Sequence, residues 1–168
     1  MEIRKIYFDM DGVLADFDGG VKTLCRLPFD TTGDMTEEQD DEMWAQIRAV
    51  GHFYDKLQPL QGAIEMFWEI YGKYGDKCEI LTGIPKPRRG IETAGEDKTS
   101  WAHRVLTPKL KLNIVFAEQK KEFCTGPECV LIDDLKKNII AWESCGGTGV
   151  HTKSPADTLR ILREKGIL

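Results

Sequence analysis

The sequence predicts an α/β fold: a doubly wound, Rossmann-like parallel sheet of about five strands, with a small helical cap inserted after the first. Three observations lead there. Short, continuously apolar runs recur along the chain. Helical patterns separate them. One long interval, early in the chain, carries no strand pattern at all.

The apolar runs are "IRKIYF" (3–8), "CEILT" (78–82), "LNIVFA" (112–117) and "CVLID" (129–133), with a weaker fifth at "GVHT" (149–152). Each ends at a polar residue or a turn. Unbroken apolar runs of this length suit parallel strands buried on both faces. Helical patterns fall at 61–74, 97–106, 135–144 and 155–165. The last is well marked, with Ser154 as N-cap, Pro155 at the first helical position and Gly166 as the stop. Residues 16–60 show only acid-rich helical stretches such as "TEEQDDEMWAQIRAV", too long for an ordinary strand-to-helix connection. The predicted division is a core of 1–15 and 61–168 with a cap of 16–60.

Composition narrows the function. The 168 residues suffice for one domain with its own core, and the 41% apolar and 30% charged content is that of a globular protein. A net charge of −5 without long Lys/Arg runs argues against a nucleic-acid polymer as partner. No stretch approaches the apolar length of a membrane span, and the charged N-terminus argues against a signal peptide. Five scattered cysteines, with "CTGPEC" too loose for a metal knuckle, read as reduced thiols in a cytoplasmic protein. A homodimer is compatible with such a chain, and nothing in the sequence decides it.

In a doubly wound sheet, ligands bind beyond the carboxyl ends of the strands. The first strand ends in Asp9 with Asp11 two residues on, the second in Thr82-Gly83, and the fourth in Asp133-Asp134. The third runs into "AEQKKEF", which offers Lys120 and Lys121. Each feature alone reads as a cap, a turn or a solvated lysine. Together they would converge on one crevice. Two unit charges 4 Å apart repel by about 4 kcal/mol at an effective dielectric near 20. Several carboxylates gathered there call for a cation, and oxygen-only ligands favour a hard one such as Mg²⁺.

Carboxylates around a hard cation, beside a lysine and a threonine, make a site for a small phosphomonoester. Asp9 can attack phosphorus to form an aspartyl-phosphate, while Asp11 protonates the leaving oxygen and later activates water. The nucleotide-binding signatures GxxxxGK[ST] and GxGxxG are absent. A phosphoacceptor signalling domain would place its acidic pair first, then a lone aspartate, then Thr and Lys. Here the order is Asp-x-Asp, Thr, Lys, Asp-Asp, interrupted by a helical insert such a domain does not need.

The series "DMDG", "ILTG", a lysine and "LIDD" resembles the haloacid dehalogenase (HAD) superfamily of aspartate-nucleophile phosphatases. Within it, "DMDGVLADFD", "LQPLQGAIEMF", "ILTGIPK", "KTSWA" and "LIDDLKKNIIAWESCGG" are similar to the 5'(3')-deoxyribonucleotidases. The resemblance implies an enzyme that hydrolyses nucleoside monophosphates, preferably deoxy ones, with Mg²⁺ as cofactor. It implies Asp9 as nucleophile and metal ligand, Asp11 as acid/base and as a ligand through its backbone carbonyl, and Asp133 as a direct ligand. Asp134 would act behind them. Thr82, the Gly83 amide and Lys120 would hold phosphate, with Lys121 the alternative lysine. Phe17 would stack the base and Lys86 would face the substrate. Trp44, His52, Phe53 and Tyr54 could line the substrate side or pack cap to core. Gly83 stands where many relatives carry serine, and the insert is shorter than in the animal enzymes. Another small phosphomonoester, such as a sugar phosphate or a coenzyme fragment, remains the alternative substrate.

Overall fold

The computed structural model describes all residues 1–168. Five parallel strands form one sheet in the order β3-β2-β1-β4-β5: β1 Lys5–Phe8, β2 Cys78–Gly83, β3 Leu112–Val115, β4 Cys129–Asp133 and β5 Thr148–His151. The chain runs outward from β1 to β3, then returns to place β4 on β1's other side. The switch point therefore lies between β1 and β4, where such sheets open a crevice. Phe8 pairs with Ile132, so Asp9 and Asp133 leave the sheet side by side.

Alternating side chains give the sheet two buried faces. Ile6, Phe8, Ile80, Val130, Ile132 and Val150 join the larger core. The helices α3 (Ala63–Tyr74), α4 (Ala94–Val105) and α6 (Pro155–Glu164) contribute Met66, Phe67, Ile70, Trp101 and Leu162 to it. Tyr7, Leu81 and Leu131 face the other way, under Ile139 and Trp142 of α5 (Lys136–Ser144).

Most elements fall where the sequence places them. Helix α4 begins three residues before the expected 97, because Gly95 and the charged Glu96–Asp97 pair mask its first turn. β3 ends at Val115, and 117–123 winds into a 3₁₀ segment that carries both Lys120 and Lys121.

The interval 16–60 folds as α1 (Phe17–Leu24), α2 (Glu37–Val50) and a 3₁₀ turn at Phe53–Lys56. Thr36 caps α2 reciprocally with Gln39, a capping box that starts the helix despite its acid-rich composition. Val21, Met43, Ile47, Phe53, Tyr54 and Leu57 of this interval belong to the same apolar cluster as the sheet. Its two ends are tied together. Asp16 N–H donates to the Gln58 carbonyl at 2.8 Å and Leu60 N–H to the Leu14 carbonyl at 2.8 Å. At the far end, Arg89 forks onto Asp40 and Asp41 of α2 at 2.5 and 2.6 Å. No helix is long and apolar enough to cross a membrane.

Candidate active site

Beyond β1 the chain turns sharply: Val13, Leu14 and Ala15 all donate N–H to the Met10 carbonyl. Gly12 sits in this turn at φ +79°, and a Cβ there would lie 2.2 Å from Asp134 Oδ2. Only glycine satisfies both the backbone angle and the neighbour. The turn therefore seats Asp9 and Asp11 against the β4 carboxylates.

Asp9, Asp133 and Asp134 offer one carboxylate oxygen each within 4.8 Å of one another. Asp9 is 6% and Asp133 0% exposed. Lys120 Nζ bridges the first two, donating to Asp9 Oδ1 at 2.8 Å and Asp133 Oδ2 at 2.7 Å. Asp133 also accepts from Asn138 at 3.0 Å and from the Leu135 N–H at 2.8 Å. Asp134 Oδ1 is buried without any partner. Burial, then the Asp9 and Asp133 charges, push the Asp134 pKa up to about 7. Burial and Asp9 likewise raise that of Asp133. For Lys120, burial works against the ammonium, but Asp9 and Asp133 outweigh it and hold its pKa above the ordinary lysine value.

One lysine does not neutralise three carboxylates, and the unpartnered Asp134 oxygen faces the deficit. The donors are all hard oxygens in a charge-crowded pocket, which fits Mg²⁺. The sequence expectation placed Asp134 behind its neighbours. In the structure its side chain stands with them; the Asp11 carboxylate, expected as acid/base with only its backbone carbonyl toward a metal, faces Lys98.

Asp11 turns to Lys98, a residue to which the sequence reading assigned no role. Lys98 Nζ donates to Asp11 Oδ2 at 2.9 Å, Thr82 Oγ1 at 2.9 Å and the Gly83 carbonyl at 2.7 Å. Its side chain is wholly buried and its ammonium lies 4.5 Å from the Tyr54 ring centre. Asp11 Oδ1 is buried and unpartnered. Burial raises the Asp11 pKa, with Lys98 opposing it. The available signal was "KTSWA" itself, but a lysine on a charged helix ordinarily reads as solvated.

These groups open onto a cavity of about 850 Å³, within the usual range for small-molecule sites. Asp9, Asp11, Gly83 and Lys120 line its floor, and Phe17, Trp44, Tyr54 and Leu60 its apolar wall. Phe17, the first residue of α1, lies 6.1 Å from Trp44 and 6.3 Å from Tyr54 between ring centres. Phe53 lies behind Phe17 at 5.6 Å, fully packed, and His52 faces Asp97 at 2.8 Å away from this cavity. Lys86 lines the rim, paired with Glu118 and 4.6 Å over the Phe116 ring. Thr82 is buried beneath the floor, its hydroxyl tied to Lys98. Lys121 is exposed and does not enter the cavity, so Lys120 is the lysine at the carboxylates.

No protein-family model matches the chain. It is 27% identical over 139 residues to the putative 5'(3')-deoxyribonucleotidase of Vibrio phage KVP40, covering 79% of this chain and 67% of that protein. It is 27% identical over 146 residues to the human mitochondrial 5'(3')-deoxyribonucleotidase, covering 77% of this chain and 61% of that protein. The chain thus spans about two thirds of the first relative's length and less of the second's. Among solved structures, a HAD-superfamily hydrolase from Ehrlichia chaffeensis matches with a TM-score of 0.57 at 13% identity, covering 98% of both chains. A HAD family hydrolase from Deinococcus radiodurans, solved with bound phosphate and sodium, matches with a TM-score of 0.54 at 17% identity, covering 99% of this chain and 97% of that one. The chain therefore has the fold of the HAD-superfamily hydrolases and is similar in sequence to proteins named 5'(3')-deoxyribonucleotidases.

Proposed function

We propose that the protein is a Mg²⁺-dependent phosphomonoester hydrolase acting through an aspartyl-phosphate on Asp9, with nucleoside monophosphates, preferably deoxy ones, as substrates. The observation that carries this reading is the meeting of Asp9, Asp133 and Asp134 at one edge of the sheet, with Lys120 bridging two of them. The similarity to named deoxyribonucleotidases supports the substrate class.

Asp9, Asp133 and Asp134 would hold Mg²⁺, which supplies charge neutralisation to a phosphate dianion approaching carboxylates. Asp9 attacks phosphorus as the ester P–O bond breaks. Lys120 aims Asp9, donating to Oδ1 at 2.8 Å. The unpartnered Asp11 Oδ1 is the atom free to deliver a proton to the leaving alcohol oxygen. The same atom then takes a proton from the water that hydrolyses the aspartyl-phosphate, releasing inorganic phosphate. Lys98 holds Asp11 in place through Oδ2 and ties it to Thr82 beneath the cavity floor. The apolar wall of Phe17, Trp44 and Tyr54 suits a flat, aromatic leaving group. Five free cysteines suit a reducing compartment such as the cytoplasm.

A phosphate-release panel tests the reading: deoxy- and ribonucleoside 5'- and 3'-monophosphates, sugar phosphates and coenzyme fragments, each with Mg²⁺ and with excess chelator. The expected result is metal-dependent multiple turnover with deoxynucleotides preferred. Sugar phosphates turned over faster than any nucleotide would overturn the substrate class, and full activity in chelator the metal.

A further inference from the structure

A second cleft of about 240 Å³ opens beside the main cavity, between the 3₁₀ segment Ala117–Phe123 and α5. Ala117, Lys120, Lys137 and Asn138 line both, so Lys120 stands in the wall between them. Lys121 closes the far side. The single acid of the cleft, Glu118, is engaged by Lys86. Lys121 and Lys137 are exposed, and neither forms an ion pair.

Helix α5 sharpens the imbalance. Its first turn contains no acid and begins Lys136-Lys137, placing cations at the positive end of the helix dipole. Asp133, just before it, is committed to Lys120, Asn138 and the Leu135 N–H. The cleft therefore sets two ammonium groups without a bonded partner, Lys121 and Lys137, beside one acid, directly behind the lysine that contacts the nucleophile. An anion entering it would be balanced by Lys121 and Lys137 together.

We propose that this cleft is a second anion subsite, taking a phosphate-class dianion next to the reacting phosphoryl group. The dianion is either the second phosphate of a substrate, which rests on the function proposed above, or free phosphate. In the first case nucleoside bisphosphates are turned over at the same site alongside the monophosphates.

The test compares the wild type with a Lys121→Glu variant, because Lys121 lines the second cleft and not the main cavity. Phosphate release is measured on a deoxynucleoside 3',5'-bisphosphate and on the corresponding 5'-monophosphate, and inorganic phosphate is titrated calorimetrically in the presence of Mg²⁺. If the substrate supplies the dianion, the variant loses about tenfold in kcat/KM on the bisphosphate, as expected for a change of two charge units, and less than twofold on the monophosphate. If free phosphate supplies it, the wild type binds a second phosphate equivalent that the variant does not. Either result supports the subsite. Equal kinetics within twofold on both substrates, together with identical phosphate stoichiometry, would overturn it. A wild type that hydrolyses no nucleotide defeats the function proposed above, and the calorimetric arm alone then decides the subsite.

Discussion

Lys98 Nζ lies 2.9 Å from Asp11 Oδ2, its entire side chain out of solvent. The pair joins the second turn of α4 to the loop after β1, and Thr82 completes the contact from β2. Three segments remote in sequence thus share one ammonium. Removing one member of a buried pair leaves the other charge uncompensated, a cost of about 3 kcal/mol. Lys98→Met is therefore expected to destabilise the protein by about that amount and to lower kcat about 100-fold or more. Urea unfolding and phosphate release check both. A variant with native stability and rate would remove Lys98 from the site.

Asp9→Asn should abolish turnover while leaving the fold intact, because the amide is no nucleophile yet keeps the carboxylate's shape. A loss of about 10³-fold or more in kcat is expected. Near-native activity with added Mg²⁺ would refute the nucleophile assignment.

Gly12→Ala tests the carboxylate cluster without touching a carboxylate. The new Cβ would lie 2.2 Å from Asp134 Oδ2 in a backbone at φ +79°, so Asp134 must move. For wild type, Mg²⁺ at 100 times its dissociation constant should add about 2.7 kcal/mol to stability. The variant should lose most of that increment. Thermal unfolding with and without Mg²⁺ reads the difference, and an equal shift in both proteins would count against Asp134 as a ligand.

Glu79 of β2 governs acid stability away from the site. Its carboxylate is buried, receives Lys5 and Asn113 and lies 3.5 Å from Lys111. Burial opposes its charge, but the Lys5 and Asn113 hydrogen bonds prevail and hold its pKa below the ordinary 4.5. A depressed carboxylate contributes stability that is complete above the unfolded value and lost as pH falls through the folded one. Glu79→Gln should therefore cost about 1–2 kcal/mol at pH 7, and the gap should close below pH ~4. Denaturant midpoints across pH 3–8 measure it. A gap constant across that range would show that charge is not the cause.

The apolar runs ending in Asp9, Thr82 and Asp133 made the sheet and its functional edge legible, because burial on both faces writes itself locally along each strand. The spacing of Asp9 and Asp11, and the order of the four polar strand ends, were sufficient to point to phosphate chemistry. Three matters depend on the tertiary structure, the first of them the preference for Lys120 that the resemblance already implied. Lys120 and Lys121 are chemically identical neighbours, and only the winding of the 3₁₀ segment buries the first and exposes the second. Asp134 joined its two partners because Gly12 leaves room for it. Lys98, on a helix whose charged residues suggest solvent, became a site residue because α4 packs it under β2 and the loop after β1. Sequence pattern determines which face of an element is apolar. Which buried charges meet is decided by strand order and by helix docking across the sheet, and these depend on contacts that no local stretch of chain records.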